Sequence, residues 1–260
     1  VKARNHEKDR RRRWWCNGCD RSFSVTVNTI LHGTHLPLQK WFLAVIILVN
    51  AKKSVSSHQL SRDLDIPVKT AYSLSQRIRK GMLGATMPLL QGIVEMDETY
   101  VGGKPRYKGE SKPGRGTKKT PVIGAVEREG NVIAEPIVHS KVNTAEIRKF
   151  LLRFVDGQRT HLISDEFSGY LGVGPFVQAH DTINHSETYV DGDVHTNSIE
   201  SFWALVKRAH YGQHHHYSKE YMHLYIGEAC FKYNNRKQIK RGSAGMVFDN
   251  LLSTMLSRRS

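Results

Sequence analysis

Cysteine is scarce in this sequence, with three residues in 260, and no apolar leader stands behind the basic N-terminus. That scarcity excludes a disulfide framework and fits a reducing compartment without an export signal. Long hydrophobic runs are also missing. The longest, WFLAVIILV at 41–49, falls well short of the roughly 20 apolar residues that a membrane span needs. It follows Pro37 and reads as a buried helix. Acidic side chains are the third shortage: 24 against 39 lysines and arginines, a formal net charge of +15. Such a balance calls for a polyanionic partner, nucleic acid ahead of an anionic membrane surface. No internal repeat is visible. A hydrophobic content of 39% with 9% aromatics excludes wholesale disorder. The length allows one large domain, or a medium and a small one.

What is present is unevenly placed. The basic residues cluster in KARNHEKDRRRRWW, in GGKPRYKGESKPGRGTKK, and near the end in RKQIKRG and SRRS. Residues 1–36 read as a basic arm and half a zinc ribbon, with Cys16-x-x-Cys19 in the knuckle spacing. A structural zinc needs four ligands, and Cys230, within GEACFKYNN, reads as a buried core thiol. The other reading of Cys16 and Cys19 is two unpaired thiols in a tight turn, so zinc stays uncertain. Residues 37–88 read as three helices, the second opened by Ser56 and Gln59 in capping-box spacing. A short helix, a turn at Ile66-Pro67 and a longer basic helix form a helix-turn-helix pattern. It would turn Lys69, Thr70, Ser73, Gln76 and Arg77 toward a DNA groove. The plainer alternative is a three-helix bundle with a solvated basic face.

From about residue 91 the period changes to that of strands. GIVEMDETYVGG, PVIGAVER and VIAEPIVH are strand-like runs separated by turn signals, with a solvent-facing basic loop that carries Lys104 between the first two. NTAEIRKFLLRFVDG is an amphipathic helix ending at Gly157, THLISDEFSGY a strand closing on Asp165, and DTINH a shorter run. Two helices follow, HTNSIESFWALVKRAHY and SKEYMHLYIGEACFKYNNR. Three strands, then helix, strand, strand and helix, predict an α/β (α+β) domain with a mixed sheet over 91–240, and 241–260 reads as a tail.

Carboxylates inside an apolar strand need a reason, because a buried one is costly unless paired or bound to a cation. Asp97 with Glu98, and Asp165 with Glu166, lie near strand ends. The helix after Thr196 carries Ile199, Trp203 and Val206 as an apolar stripe, with Asn197, Glu200, Ala204 and Lys207 beside it. Convergent carboxylates of this kind suit a hard divalent cation such as magnesium. Two such ions can activate a hydroxyl and stabilise the leaving oxygen in phosphodiester transfer. Glu95 shares the Asp97 face by strand alternation and reads as structural. His214 to His216 read as a DNA-facing or structural loop, since histidine is a poor magnesium ligand. His195 is a candidate neighbour of the site.

The motifs VEMDETYVGGK, LISDEFSGY and HTNSIESFWALVKRAHYGQHHHYSKEYMHLYIGEACFKYNNR closely resemble the ISXO-like insertion-sequence transposases of the DDE superfamily, the group numbered fifteen-ninety-five. SFSVTVNTILHGTHLPLQKW and KKSVSSHQLSRDLDIPVKTAYSLSQRIRKGM match the upstream half of the same proteins, so the resemblance runs from about Trp14. It implies an RNase H-like core that cleaves element ends and transfers strands into target DNA, with magnesium or manganese. Asp97 and Asp165 would be the first two metal-binding carboxylates. Either Glu200 or Asn197 would be the third, Glu200 being the better magnesium ligand. Lys207 would contact phosphate near the scissile bond, with Arg208 either a helper or a solvated charge. The resemblance further implies double-stranded DNA as partner, a homo-oligomer on that DNA, no membrane, and a bacterial cytoplasmic, nucleoid-associated location. Members often carry a complete ribbon with two cysteine pairs, and this sequence has one. A metal-dependent nuclease on the same core, and a catalytically idle DNA-binding descendant, are the alternatives.

Overall fold

The computed structural model describes residues 2–4, 13–24, 26–84, 87–102, 119–138, 141–183 and 194–257. Three short strands come first, β1 (Lys2–Arg4), β2 (Arg13–Cys16) and β3 (Arg21–Phe23), and then α1 (Leu38–Asn50), α2 (Ser57–Leu64) and α3 (Val68–Leu83). A strand-rich region follows: β4 (Leu90–Val101), β5 (Thr120–Glu127), β6 (Val132–Pro136), α4 (Thr144–Phe154), β7 (Val155–Asp165) and β8 (Ala179–Ile183). The chain closes with α5 (Asn197–Ala209), α6 (Met222–Asn234), α7 (Arg236–Lys240) and α8 (Ala244–Leu256).

The first three strands form an antiparallel sheet whose β2–β3 turn holds Cys16 and Cys19. Asp20 adopts a left-handed conformation there and donates its N–H to the Cys16 carbonyl at 3.0 Å. Both thiols are free, and no group of three or more metal-ligating side chains among the described residues includes them.

Helices α1 to α3 bury one core of Trp41, Val45, Leu48, Leu60, Leu64, Leu74 and Ile78. Ser56 caps α2 by accepting the Gln59 N–H at 3.1 Å, as its spacing predicts. Asp65, in the left-handed region, stops the helix before Pro67 opens α3. The stretch expected as a tail behaves differently. From Ala244 it forms α8, whose Val247, Leu251 and Met255 enter the same core. Those residues recur every fourth position, the spacing of one helical face, and Phe248 meets Phe42 of α1 edge-on at 6.2 Å.

The second sheet has the order β6-β5-β4-β7-β8, with β4, β5 and β6 antiparallel and β4, β7 and β8 parallel. The mixed α/β sheet predicted from the run of elements is therefore present. The central strands are buried on both faces because a parallel pair has helices over each side. On one face α4 packs Ile147, Phe150 and Leu151 against Val94, Met96 and Leu162. On the other, Ile199, Phe202, Trp203 and Val206 of α5 and Ile226 of α6 cover Val122, Val126 and Val132. Gly157 does not end α4, which passes directly into β7 at Val155. It lies in the strand, where a Cβ would sit 1.9 Å from the Phe176 carbonyl, so the close approach of that backbone requires glycine.

A buried charge network joins the helical bundle to the sheet. Arg79 of α3 donates to Glu228 of α6 at 2.7 Å, Lys232 pairs with the other Glu228 oxygen, and Lys232 also donates to the Ala51 carbonyl at 2.7 Å. Burial pushes the Glu228 carboxyl up, but Lys232 and Arg79 outweigh it and hold the group well below the ordinary carboxylate range. Its stabilising contribution is complete above the unfolded value of 4.5 and is lost as pH falls toward the folded one. Glu228→Gln strands two buried cations and should cost about 3–5 kcal/mol. Urea unfolding should show that gap constant from pH 7 to about 5, and shrinking below 4.5.

Candidate metal centre

Pairing of β4 with β7 ends at Met96 and Ser164. The next residues, Asp97 and Asp165, therefore leave the ladder side by side at the carboxyl ends of two parallel strands, where open α/β sheets form their clefts. On the other flank Asp97 is still paired with Gly124 of β5. A Cβ on Gly124 would stand 2.6 Å from the Trp203 ring, so glycine there lets α5 lie close. The Trp203 indole N–H then donates to Asp97 Oδ2 at 3.0 Å, while Oδ1 accepts the Glu98 N–H at 2.7 Å. Asp165 Oδ1 accepts the Phe167 N–H at 3.1 Å and turns the chain off the strand.

One carboxylate oxygen from each of Asp97, Glu98 and Asp165 lies within 4.8 Å of the others, and all three residues are half-buried. Glu98 was the unassigned member. Strict alternation would send it to the opposite face, but past Met96 the strand has no β7 neighbour on that flank. The buried Tyr170 hydroxyl donates to Glu98 Oε2 at 3.3 Å. Burial, then the charges of Glu98 and Asp165, pushes the Asp97 carboxyl up to about 7. Three carboxylate oxygen donors make a hard-cation donor set, and magnesium or manganese fits it where zinc would favour nitrogen or sulfur.

The other expected residues divide. Asn197 and Glu200 are exposed on the first turns of α5, beside the acidic cluster and outside it, and Glu200 accepts the Thr196 hydroxyl at 3.3 Å. Lys207 and Arg208 are exposed on the last turn. On α3, Lys69 and Ser73 are exposed and Thr70 is half-buried. Gln76 and Arg77 do not face a groove. Gln76 is 7% exposed and donates to the Tyr225 hydroxyl at 2.8 Å. Arg77 lies over the Trp41 ring and donates to the Ile30 and His32 carbonyls. The C-terminal half of α3 is packed against α6, where Gln76 docks on Tyr225, while Arg77 is held by α1 and the segment before it. Lys104 lies outside the described residues. His214 packs edge-on against Tyr225 and burial drops its imidazole to about 4, whereas His215 and His216 are exposed.

Glu95 is structural, as the sequence reading expects, and its partners are distant in sequence. It is fully buried and accepts the backbone N–H groups of Ser198 and Ile199, the Ser198 hydroxyl, and Arg128 Nε. No local signal reveals this, since its partners on α5 are 103 and 104 residues away.

The raised Asp97 group has a testable sign. Between about 4 and 7 the folded protein holds a proton that the unfolded chain has shed, so this group lowers stability as pH rises through that window. Without divalent ions, Asp97→Asn should melt about 2–6 °C above wild type at pH 8. The gap should narrow as pH falls toward 4. Added manganese should raise the wild-type melting temperature at pH 8, less at pH 6, and leave the variant unmoved. Scanning calorimetry reads all three.

Residues 89–234 match the family described as the ISXO2-like transposase domain. The chain is 30% identical over 210 residues to a protein of Halobacterium salinarum named "Uncharacterized protein in transposable element ISH50", covering 75% of this chain and 70% of that one. Among solved structures it is similar to the Mos1 strand transfer complex, with a TM-score of 0.33, 14% identity, and coverage of 86% of this chain and 80% of that one. The mariner Mos1 paired-end complex with Mg scores 0.33 at 12% identity, over 87% of this chain and 82% of that one. A likeness of that degree carries no argument. The family match spans more than half of the sequence, and on it the chain belongs to the ISXO2-like transposases.

Proposed function

We propose that the protein is a metal-dependent DNA transposase that cleaves the ends of its insertion sequence and joins them to target DNA. The observation that carries the reading is the convergence of Asp97, Glu98 and Asp165 at the ends of two parallel strands in a chain of this family. On this reading the β4–β8 sheet with α4 to α6 is an RNase H-like catalytic domain, and the α1–α3 bundle with α8 is a helix-turn-helix-like DNA-binding domain.

Asp97, Glu98 and Asp165 would hold magnesium or manganese, with Glu200 of α5 as a further ligand in preference to Asn197. A bound divalent cation lowers the cost of charge on the attacking and leaving oxygens of a phosphodiester. The chain's own groups set the conditions for that. Trp203 fixes one oxygen of Asp97 and leaves its carboxylate a single orientation. Burial and the two neighbouring acids raise the proton affinity of Asp97, and a bound cation would favour its ionised form. Lys207 and Arg208, exposed along α5, would meet phosphates of a strand lying over the acids, and Lys69, Thr70 and Ser73 would offer the bundle's contact to duplex. Two DNA ends must be joined, so two or more copies act together.

Labelled DNA bearing the element's own ends, taken from the flanks of its gene, tests the reading in the presence of magnesium. Wild type should cut and join the 3′ end to a second DNA, and Asp97→Ala or Asp165→Ala should lose both by at least about 100-fold while still binding DNA. Cutting without joining would make the protein a nuclease. Binding with neither reaction would make it an idle descendant.

A further inference from the structure

Glu95 is the acidic residue of IVEMDETYVGG that the proposed metal centre does not use, yet it is completely buried and its carboxylate is fully occupied. Oε2 accepts from Ser198 N at 2.7 Å and Ile199 N at 3.1 Å, and Oε1 from the Ser198 hydroxyl at 3.1 Å and Arg128 Nε at 2.8 Å. Arg128 Nη2 continues to the His195 carbonyl at 3.0 Å and to its Nδ1 at 3.1 Å. The carboxylate thus sits on the positive end of the α5 dipole and satisfies two of the helix's orphan donors.

Burying a charge pair is a poor way to gain stability over a well-packed apolar set. What it supplies is geometry, because several directional bonds fix both the slide and the rotation of a helix. Apolar contacts alone hold α5 on the sheet less specifically. The consequence falls on the acidic centre. Glu95 lies two positions before Asp97 on β4, and α5 carries both Glu200 and the Trp203 that bonds Asp97. At 3.6 residues per turn, a one-residue slip of α5 would rotate these side chains by about 100° away from the strand.

We propose that Glu95, with Arg128 and His195, is a positioning device that fixes the register of α5 against β4 and so sets where Glu200 and Trp203 stand relative to Asp97. The inference rests on the reading of that centre as a divalent-cation site for phosphodiester chemistry. Glu95 touches no reacting atom and acts through the helix.

Glu95→Gln tests it, since glutamine keeps the size and an acceptor oxygen while losing the charge that faces Arg128. Amide hydrogen exchange on the metal-free protein should show protection lost on the first turn of α5 and kept on β4 and β7. With manganese titrated into the cleavage reaction, the half-saturating concentration should rise about 10- to 100-fold, the usual effect of losing a group that orients a ligand. Affinity for duplex DNA should not change. Arg128→Gln should behave alike, and the double variant should be no worse than either single one, as for parts of one unit. Unchanged α5 exchange with an unchanged manganese requirement would overturn the proposal. So would protection lost across the whole sheet, which would make Glu95 a general fold residue. If wild type shows no metal-dependent cleavage, the functional reading fails, and the exchange measurement alone still decides whether Glu95 sets the register of α5.

Discussion

The parallel pairing of β4 with β7 is the constraint on which the site depends, because of where it stops. From Val94 to Met96 and from Leu162 to Ser164 both strands are held in one ladder and buried, so their side chains are apolar or satisfied. One residue further the ladder is gone, and Asp97 and Asp165 stand next to each other with Glu98 close by. The same register sends Val94 and Met96 to the α4 face and Glu95 and Asp97 to the α5 face. A one-residue slip would exchange those sets. It would place two carboxylates in the α4 core and would open the centre. Burial of Val94 and Met96, both without exposed surface, is therefore what keeps the acids aimed correctly.

Three acidic residues of this protein illustrate how burial is resolved. Glu228 is met by two cations and titrates far below an ordinary carboxyl, and Glu95 is met by a guanidinium and a helix terminus. Both are satisfied by the chain itself, and both connect elements distant in sequence. Asp97 has one indole and one backbone donor, and burial together with two acidic neighbours pushes its carboxyl up rather than down. The first two hold the fold together. Asp97 is left short of positive charge, and that deficit is what separates a site from a structural ion pair, since a group already compensated has little to gain from a cation.

Much of this was legible in the sequence. Asp97 and Asp165 stood out because acids inside Val- and Ile-rich strands are expensive, and the strand period sets their position near the ends. The cap of α2 and the apolar stripe of α5 followed from spacing alone. What was missed depends on contacts across the chain. Glu95 looked unremarkable because its partners lie on α5 and on β5's following turn. Gln76 and Arg77 matched an exposed recognition face, but Gln76 meets Tyr225 of α6 and Arg77 meets Trp41 and the Ile30 and His32 carbonyls. Residues 244–256 read as a tail although Val247, Leu251 and Met255 have helical spacing, because a single amphipathic stripe does not name the surface that it covers.

The division of α3 bears on how DNA contact and chemistry can be linked. Its first turns present Lys69 and Ser73 to solvent, and its later turns carry Arg79 into the Glu228–Lys232 pair on α6. Arg79 also lies over the Tyr225 ring at 4.3 Å, so the docking is both charged and aromatic. Helix α6 shares a core with α5, through Ile226 and Met222 beside Phe202 and Val206. A short, continuous path of packed helices thus runs from the exposed end of α3 to Trp203 and Asp97. Breaking the buried pair at the α3–α6 contact costs about 3–5 kcal/mol. On the proposed function, a duplex gripped by the bundle would be held at a fixed offset from the acids. Orientation of that kind, gained on binding and kept through the reaction, is what in-line phosphodiester chemistry needs from a protein.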